Sequence, residues 1–266
     1  MNIVLFINGP LGIRVLDYIS EIKGCRIIQI FLNSEEKQCK NYTLEVQRLL
    51  EKKKLEVPIS PWTGNSAQIE NFCTIECDNL VGVSALFGHV LPQEMISRVS
   101  GGILNLHPSF LPIGRGAHPI PWNIVEEKTQ GVTIHLIDQH LDTGNVIFQR
   151  EIPTSLDMSA GDVYAVAMNE LFRHFLEVFE KWLTGNYPSF PQAKIEATEH
   201  KSSDLNKLST IQEDEVATFG EFVRRIQATT FSDGRCPLLK DNHNNLWRIE
   251  LRLTNFVEQE GITSAR

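Results

Sequence analysis

Short apolar runs rich in β-branched side chains alternate with stretches of helical apolar spacing over the first half of the chain, and this alternation constrains the fold more than any other feature. Residues 3–7 form a continuous apolar run that stops at Asn8-Gly9-Pro10-Leu11-Gly12, after which Ile13, Leu16 and Ile19 fall at helical spacing. The unit recurs, with Arg26–Leu32 strand-like, residues 42–54 placing Leu44, Val46, Leu49 and Leu50 on helical spacing, and Leu80–Ala85 again strand-like. No hairpin signal separates these pieces, so they predict a mostly parallel sheet covered on both faces. Ligands of such sheets sit beyond the carboxyl ends of the strands, which singles out the loops after Ile7, Ala85 and Leu106. Gly9 and Gly12 fit neither the dinucleotide nor the phosphate-loop spacing, and a tight turn into a helix is the preferred reading.

The second half reads differently. From Gly131 the run Val132-Thr133-Ile134-His135-Leu136-Ile137 alternates polar and apolar residues, and residues 146–152 look like its hairpin partner across Leu141-Asp142-Thr143-Gly144-Asn145. A long helix over residues 160–184 follows, with Ser159 and Asp162 as a capping box, a stripe of Val163, Val166, Leu171, Phe175, Val178, Phe179 and Trp182, and Gly185-Asn186 as its stop. Prolines 188 and 191 and a polar stretch mark residues 187–212 as a linker, which divides the chain into 1–186 and 187–266. Beyond it a helix over residues 219–228 and strands over 237–240 and 246–253 make a small helix and β-hairpin subdomain. The fold expected is therefore α/β, with a mostly parallel sheet and a small C-terminal appendage.

A net charge of -8, from 25 Lys plus Arg against 33 Asp plus Glu, argues against nucleic acid as a partner, because neutralising many phosphates takes a clustered basic excess. The densest basic run, Lys52-Lys53-Lys54, is flanked by Glu51 and Glu56. The opening apolar pentad is too short for a signal-peptide core, and no stretch is long enough to span a membrane. Cys25, Cys39, Cys73, Cys77 and Cys236 are dispersed without a C-x-x-C pair, so neither a disulfide framework nor a metal site is expected, and reduced cytoplasmic thiols are the simplest reading.

The densest polar chemistry inside apolar sequence lies in Ile103-Leu104-Asn105-Leu106-His107-Pro108-Ser109-Phe110-Leu111-Pro112, followed by Gly114-Arg115-Gly116. Asn105 and His107, two apart on a strand, point to one side. Asp142 opens the Asp-Thr-Gly loop and can bring a third polar group to the same rim. Ser109 lacks the G-x-S-x-G elbow, which makes a serine hydrolase a poor reading. His135 has a structural, hydrogen-bonded role as its preferred reading. Arg115 can bind an anionic or hydroxylated group or brace its loop, and His118 and Trp122 can begin a helix or wall a pocket.

N-L-H-P-S-F-L-P-x-x-R-G-A-x-P, followed by G-V-T-I-H-L-I-D-x-x-L-D-T-G-x-V-I, resembles the signature of the folate-dependent formyltransferases. The likeness is closest over residues 80–152, extends as a fold over 1–185 and is weak beyond. It implies a Rossmann-like domain in which Asn105, His107 and Asp142 match the catalytic trio, and 10-formyltetrahydrofolate as co-substrate. A neutral primary amine would attack the formyl carbon, Asn105 and His107 would donate to the developing oxyanion, and Asp142 would orient His107, favour its charged form and help relay the proton. The resemblance places folate against Leu86, Phe87, Gly88, His89, Val90 and Leu91 and against the loop of Asp138, Gln139, His140 and Leu141. Gln139-His140 replaces the acidic residue and glycine common there. Gly9, Ser109, Arg115, His118 and Trp122 fall on the substrate side.

Among acceptors, transfer RNA is disfavoured because the C-terminal part is short and not basic, and the purine-pathway relatives end near the long helix. Sugar N-formyltransferases share this length and a C-terminal hairpin. The resemblance therefore implies formyl transfer to an amine of a UDP- or dTDP-linked amino-deoxy sugar, for surface polysaccharide (lipopolysaccharide) or glycan assembly, by a cytoplasmic homodimer joined through the hairpin. Glycinamide ribonucleotide or methionyl-tRNA as acceptor, a formyl hydrolase and an idle binding module are the alternatives.

Overall fold

The computed structural model describes residues 1–34 and 42–254; Cys39 and the final stretch of the C-terminal portion, 255–266, lie outside the described residues. Five parallel strands, β1 (Asn2–Ile7), β2 (Arg26–Leu32), β3 (Ile59–Pro61), β4 (Leu80–Ala85) and β5 (Ile103–His107), join two antiparallel ones, β7 (Gly131–Leu136) and β8 (Val146–Glu151), in the order β3-β2-β1-β4-β5-β7-β8. Strand order reverses between β1 and β4, which is where open α/β sheets place their crevice. Ile7 pairs in register with Ala85, and Ala85 with Leu106, so the three loops singled out by sequence open on one rim.

The continuous apolar runs are explained by burial on both faces. Ile3, Leu5 and Ile7 pack with helices α1 (Gly9–Ile19), α2 (Thr43–Lys53) and α6 (Ala160–Leu183), while Val4 and Phe6 face Phe72 of α3 (Ser66–Cys73) and Met95 of α4 (Gln93–Arg98). Helix α6 starts at the expected capping box, with the Ser159 and Asp162 side chains each bonded to the other's backbone N–H. Its buried stripe includes Val163, Ala167, Leu171, Phe175, Val178 and Phe179; Val166 is 40% exposed, because the 3.6-residue turn carries Ala167 rather than Val166 under Val163. Among the described residues no helix is long and apolar enough to cross a membrane.

Two findings depart from the sequence expectation. The stretch read as a linker is built into the fold: Phe190 makes a two-bond bridge with Val146, and β9 (Glu199–His200) pairs in parallel with β6 (Arg115–Gly116). The C-terminal hairpin of β11 (Leu238–Lys240) and β12 (Leu246–Arg248) gains a third, parallel strand, β10 (Thr210–Gln212). Strand β12 is shorter than expected, since its partner begins just after Pro237, which has no N–H to donate to the ladder. Helix α8 (Phe219–Thr229) has a Thr218–Glu221 capping box and packs on α5 (Pro119–Val125) and on the short α7 (Leu205–Ser209), carrying this small sheet on the main domain. Leu246 and Trp247 remain 60% and 58% exposed, so β12 keeps an uncovered apolar edge.

Candidate active site

Two strands and the loops beyond them build the site. Asn105 lies opposite His135 in the antiparallel β5–β7 pair, and directly opposed side chains share one face of the sheet. Asp142, on the β7–β8 connection, enters from the rim with a left-handed backbone (φ 52°). Asn105 Nδ2 lies 3.1 Å from His135 Nε2 and donates to Asp142 Oδ1 at 3.4 Å, while Asp142 Oδ2 stands 3.8 Å from His107 Nδ1. The predicted trio therefore converges, and His135 joins it: its preferred structural reading holds for Nδ1, 2.9 Å from the Leu136 carbonyl, but its other nitrogen faces Asn105.

These contacts fix the tautomers. His107 Nε2 is 2.8 Å from the Gly114 carbonyl oxygen, which can only accept, so Nε2 carries the proton and Nδ1 presents a lone pair toward Asp142. By the same logic His135 is protonated at Nδ1, and its Nε2 accepts from the Asn105 amide. Burial lowers the His107 pKa, and although the Asp142 carboxylate pulls the other way, burial wins. Asp142 therefore favours the charged form of His107 without offsetting the burial of the ring. Burial tends to raise the Asp142 pKa, but the two imidazoles, when they carry a second proton, and the Gly116 N–H, 2.9 Å from Oδ2, hold its carboxyl well below the usual carboxylate range. The result is an anionic Asp142 beside a neutral His107 whose free lone pair can take a proton and be stabilised once charged.

The other expected site residues sort by surroundings. Ser109 is fully buried, its hydroxyl donating to the Ile113 carbonyl at 2.6 Å and accepting from Asn123 at 3.0 Å, so it braces the loop from inside instead of facing substrate. Arg115 donates to Gln192 Oε1 at 2.6 Å, which favours bracing over its alternative as an anion ligand. Trp122 stacks on His200 with centroids 4.0 Å apart, and His118 Nε2 lies 3.5 Å from Ser202 Oγ; both face the segment after α6. Gly9 opens α1 with φ 66°, and the space a Cβ would take there is bounded by Leu86.

On the cofactor side, Leu86 has φ 57° and the Gly88 N–H donates to Asn33 at 3.0 Å. Phe87 sits among Phe6, Trp62 and His89, with centroid distances of 5.6, 5.6 and 5.2 Å, while Val90 is 69% exposed. In the facing loop Asp138 accepts from the His140 N–H and the Thr143 hydroxyl, Gln139 and His140 are exposed, and Leu141 presents an exposed apolar side chain. Sequence reasoning missed Gln192, Thr198 and the Gly114 carbonyl, none of which carries a local signal. His135 was visible as the second polar residue, after Thr133, on one face of an apolar strand.

Residues 15–176 match the sequence profile of a family described as formyl transferase. A dTDP-4-amino-4,6-dideoxyglucose formyltransferase of Mycobacterium tuberculosis is 38% identical over 135 residues, covering 50% of this chain and 56% of that protein. A methionyl-tRNA formyltransferase of Clostridium perfringens is 38% identical over 101 residues, covering 38% of this chain and 32% of that one. The match thus spans from about a third to little more than half of the length of these curated relatives. In fold it is similar to a 4-N formyltransferase from Francisella tularensis, with a TM-score of 0.78 at 20% identity over 96% of this chain and 98% of that one. Since the profile runs through β5, β7 and the Asp142 loop that together hold the converging side chains, the chain belongs to the formyl transferase family.

Proposed function

We propose that this chain transfers the formyl group of 10-formyltetrahydrofolate to the primary amine of a UDP- or dTDP-linked amino-deoxy sugar. The observation that carries the reading is the convergence of Asn105, His107 and Asp142 at the carboxyl end of β5, in a family member whose matched mycobacterial relative is named for a dTDP-amino sugar. The neutral amine attacks the formyl carbon, the carbonyl π pair moves onto oxygen, and the nitrogen becomes positively charged. His107 Nδ1 takes the surplus proton, directly or through water, and Asp142 stabilises the imidazolium. The oxyanion takes the Asn105 N–H that otherwise makes the long 3.4 Å bond to Asp142. Collapse re-forms the carbonyl and expels the folate nitrogen, which accepts the proton. Exposed Val90 and Leu141, with the backbone of 138–141, suit a flat heteroaromatic that needs an apolar wall and peptide partners.

The test is direct assay. Incubation with 10-formyltetrahydrofolate and dTDP-4-amino-4,6-dideoxyglucose should give a formamido sugar by mass spectrometry, at a rate that rises from about pH 5 to about pH 9 as the amine deprotonates. Formate released without amine, or formylation of methionyl-tRNA but of no nucleotide sugar, defeats the reading; a flat profile with chemistry rate-limiting defeats the mechanism.

The same reading takes 1–186 as the catalytic domain of a cytoplasmic enzyme serving surface polysaccharide assembly, 187–266 as a linker and small subdomain, and the hairpin of β11 and β12 as the part that joins two subunits. Exposed Leu246 and Trp247 on β12 supply an apolar surface that a second copy can cover across a two-fold axis. Truncation after residue 212 should give a monomer that keeps folate binding but is less stable or less soluble. A full-length chain sedimenting as a monomer at micromolar concentration rules out this assembly.

A further inference from the structure

We propose that Gln192, in the stretch that follows α6, is a positioning residue that holds Asp142 and the 114–116 loop in their working arrangement. Its side-chain amide is fully committed: Nε2 donates to the Asp142 carbonyl at 2.7 Å and to the Gly144 carbonyl at 3.1 Å, and Oε1 accepts from Arg115 at 2.6 Å. Each partner is a part of the site. Asp142 is held in a left-handed backbone conformation that a non-glycine residue adopts at a cost, so an external group must fix it. Capturing its carbonyl does so, and the direction of the carboxylate follows from that backbone.

The rest of the stretch anchors Gln192 on both sides. Upstream, Phe190 and Val146 exchange backbone hydrogen bonds of 2.7 and 2.9 Å. Downstream, Gly114 N–H donates to Thr198 Oγ1 at 2.7 Å, Arg115 N–H to the Thr198 carbonyl at 2.8 Å and Ala117 N–H to the His200 carbonyl at 2.9 Å. That loop is the one whose Gly114 carbonyl accepts from His107 Nε2 and whose Gly116 N–H donates to Asp142 Oδ2. The chain after α6 therefore closes a ring of bonds around the His107–Asp142 pair, with the Gln192 side chain bonded both to the Asp142 connection and to Arg115.

The kinetic part of the test rests on the formyl-transfer reading; the spectroscopic part does not. The variants are Gln192→Ala and Gln192→Glu. The second keeps size and an acceptor for Arg115 but removes the donor that two carbonyls need. Both are expected to lower kcat by about 10- to 100-fold with KM for folate and amine changed less than about threefold, the pattern of lost transition-state positioning. In nitrogen-15 NMR of the imidazole, His107 faces Asp142, His135 and the Gly114 carbonyl, so displacing the carboxylate should move its titration to lower pH in both variants. Wild-type His107 titration in a folded Gln192→Glu protein overturns the proposal, even if formyl transfer is never detected. A titration shift with no transferase activity in wild type leaves the positioning role standing and removes the functional reading instead. If Gln192→Ala fails to fold, the Glu variant decides alone.

Discussion

His107→Asn and Asp142→Asn should each lower turnover by at least about a hundredfold with the fold intact, because each removes a group that acts on the transition state. Asp142→Asn keeps shape and an oxygen for the Gly116 N–H, but removes the charge that stands 3.8 Å from His107 Nδ1 and that would stabilise the imidazolium. The carboxyl titrates well below the ordinary range, so it is ionised throughout the neutral region and the loss applies there in full. The sign follows for stability: a carboxyl with a lowered folded-state pKa contributes above the unfolded value and loses that contribution as the solution is acidified. The asparagine variant should therefore lack this acid sensitivity. His107→Asn removes the basic lone pair at Nδ1, whereas the ring nitrogen of the neighbouring imidazole, His135 Nε2, already receives the Asn105 amide. Single-turnover assays beside thermal melts check both; normal turnover in a well-folded variant of either kind refutes the assigned roles.

Gly144→Ala should be the most damaging glycine-to-alanine change among the described residues. A Cβ at that position would overlap the Leu136 carbonyl oxygen, which is backbone at the end of β7 and cannot rotate away. The connection must then shift as a unit, carrying Asp142 and separating the Gly144 carbonyl from Gln192. Overpacking of this kind costs about 1–3 kcal/mol, and displacement of the carboxylate adds a loss of turnover comparable with that of Asp142→Asn. Gly220→Ala, in α8 with only a flexible Arg224 terminus nearby, is the control and should be neutral or stabilising by roughly 0.5–1 kcal/mol. Equal melting temperatures and equal turnover for the two alanine variants would contradict the account.

The local pattern decided a good deal. Apolar runs buried on both faces prescribed β1, β2 and β4, the Ser159–Asp162 pair prescribed the start of α6, and the N-x-H and D-T-G spacings placed Asn105, His107 and Asp142 at strand ends. Periodicity works there because it reports how each residue's own segment is buried. The third strand β10 and the bonds of Gln192, Thr198 and the Gly114 carbonyl were not legible, and neither was the placement of His135 against Asn105. Each depends on a partner from another part of the chain: Gln192 lies 50 positions from Asp142, and Gly114 lies 84 from Thr198. The neutrality of His107 has the same origin, because desolvation in the folded core outweighs the nearby carboxylate. Sequence alone determined which groups reach the rim of the sheet. Which proton each imidazole carries, and what holds Asp142 beside them, were decided by strand register and by chain returning from beyond α6, since hydrogen bonding and burial act through space on groups that local spacing does not relate.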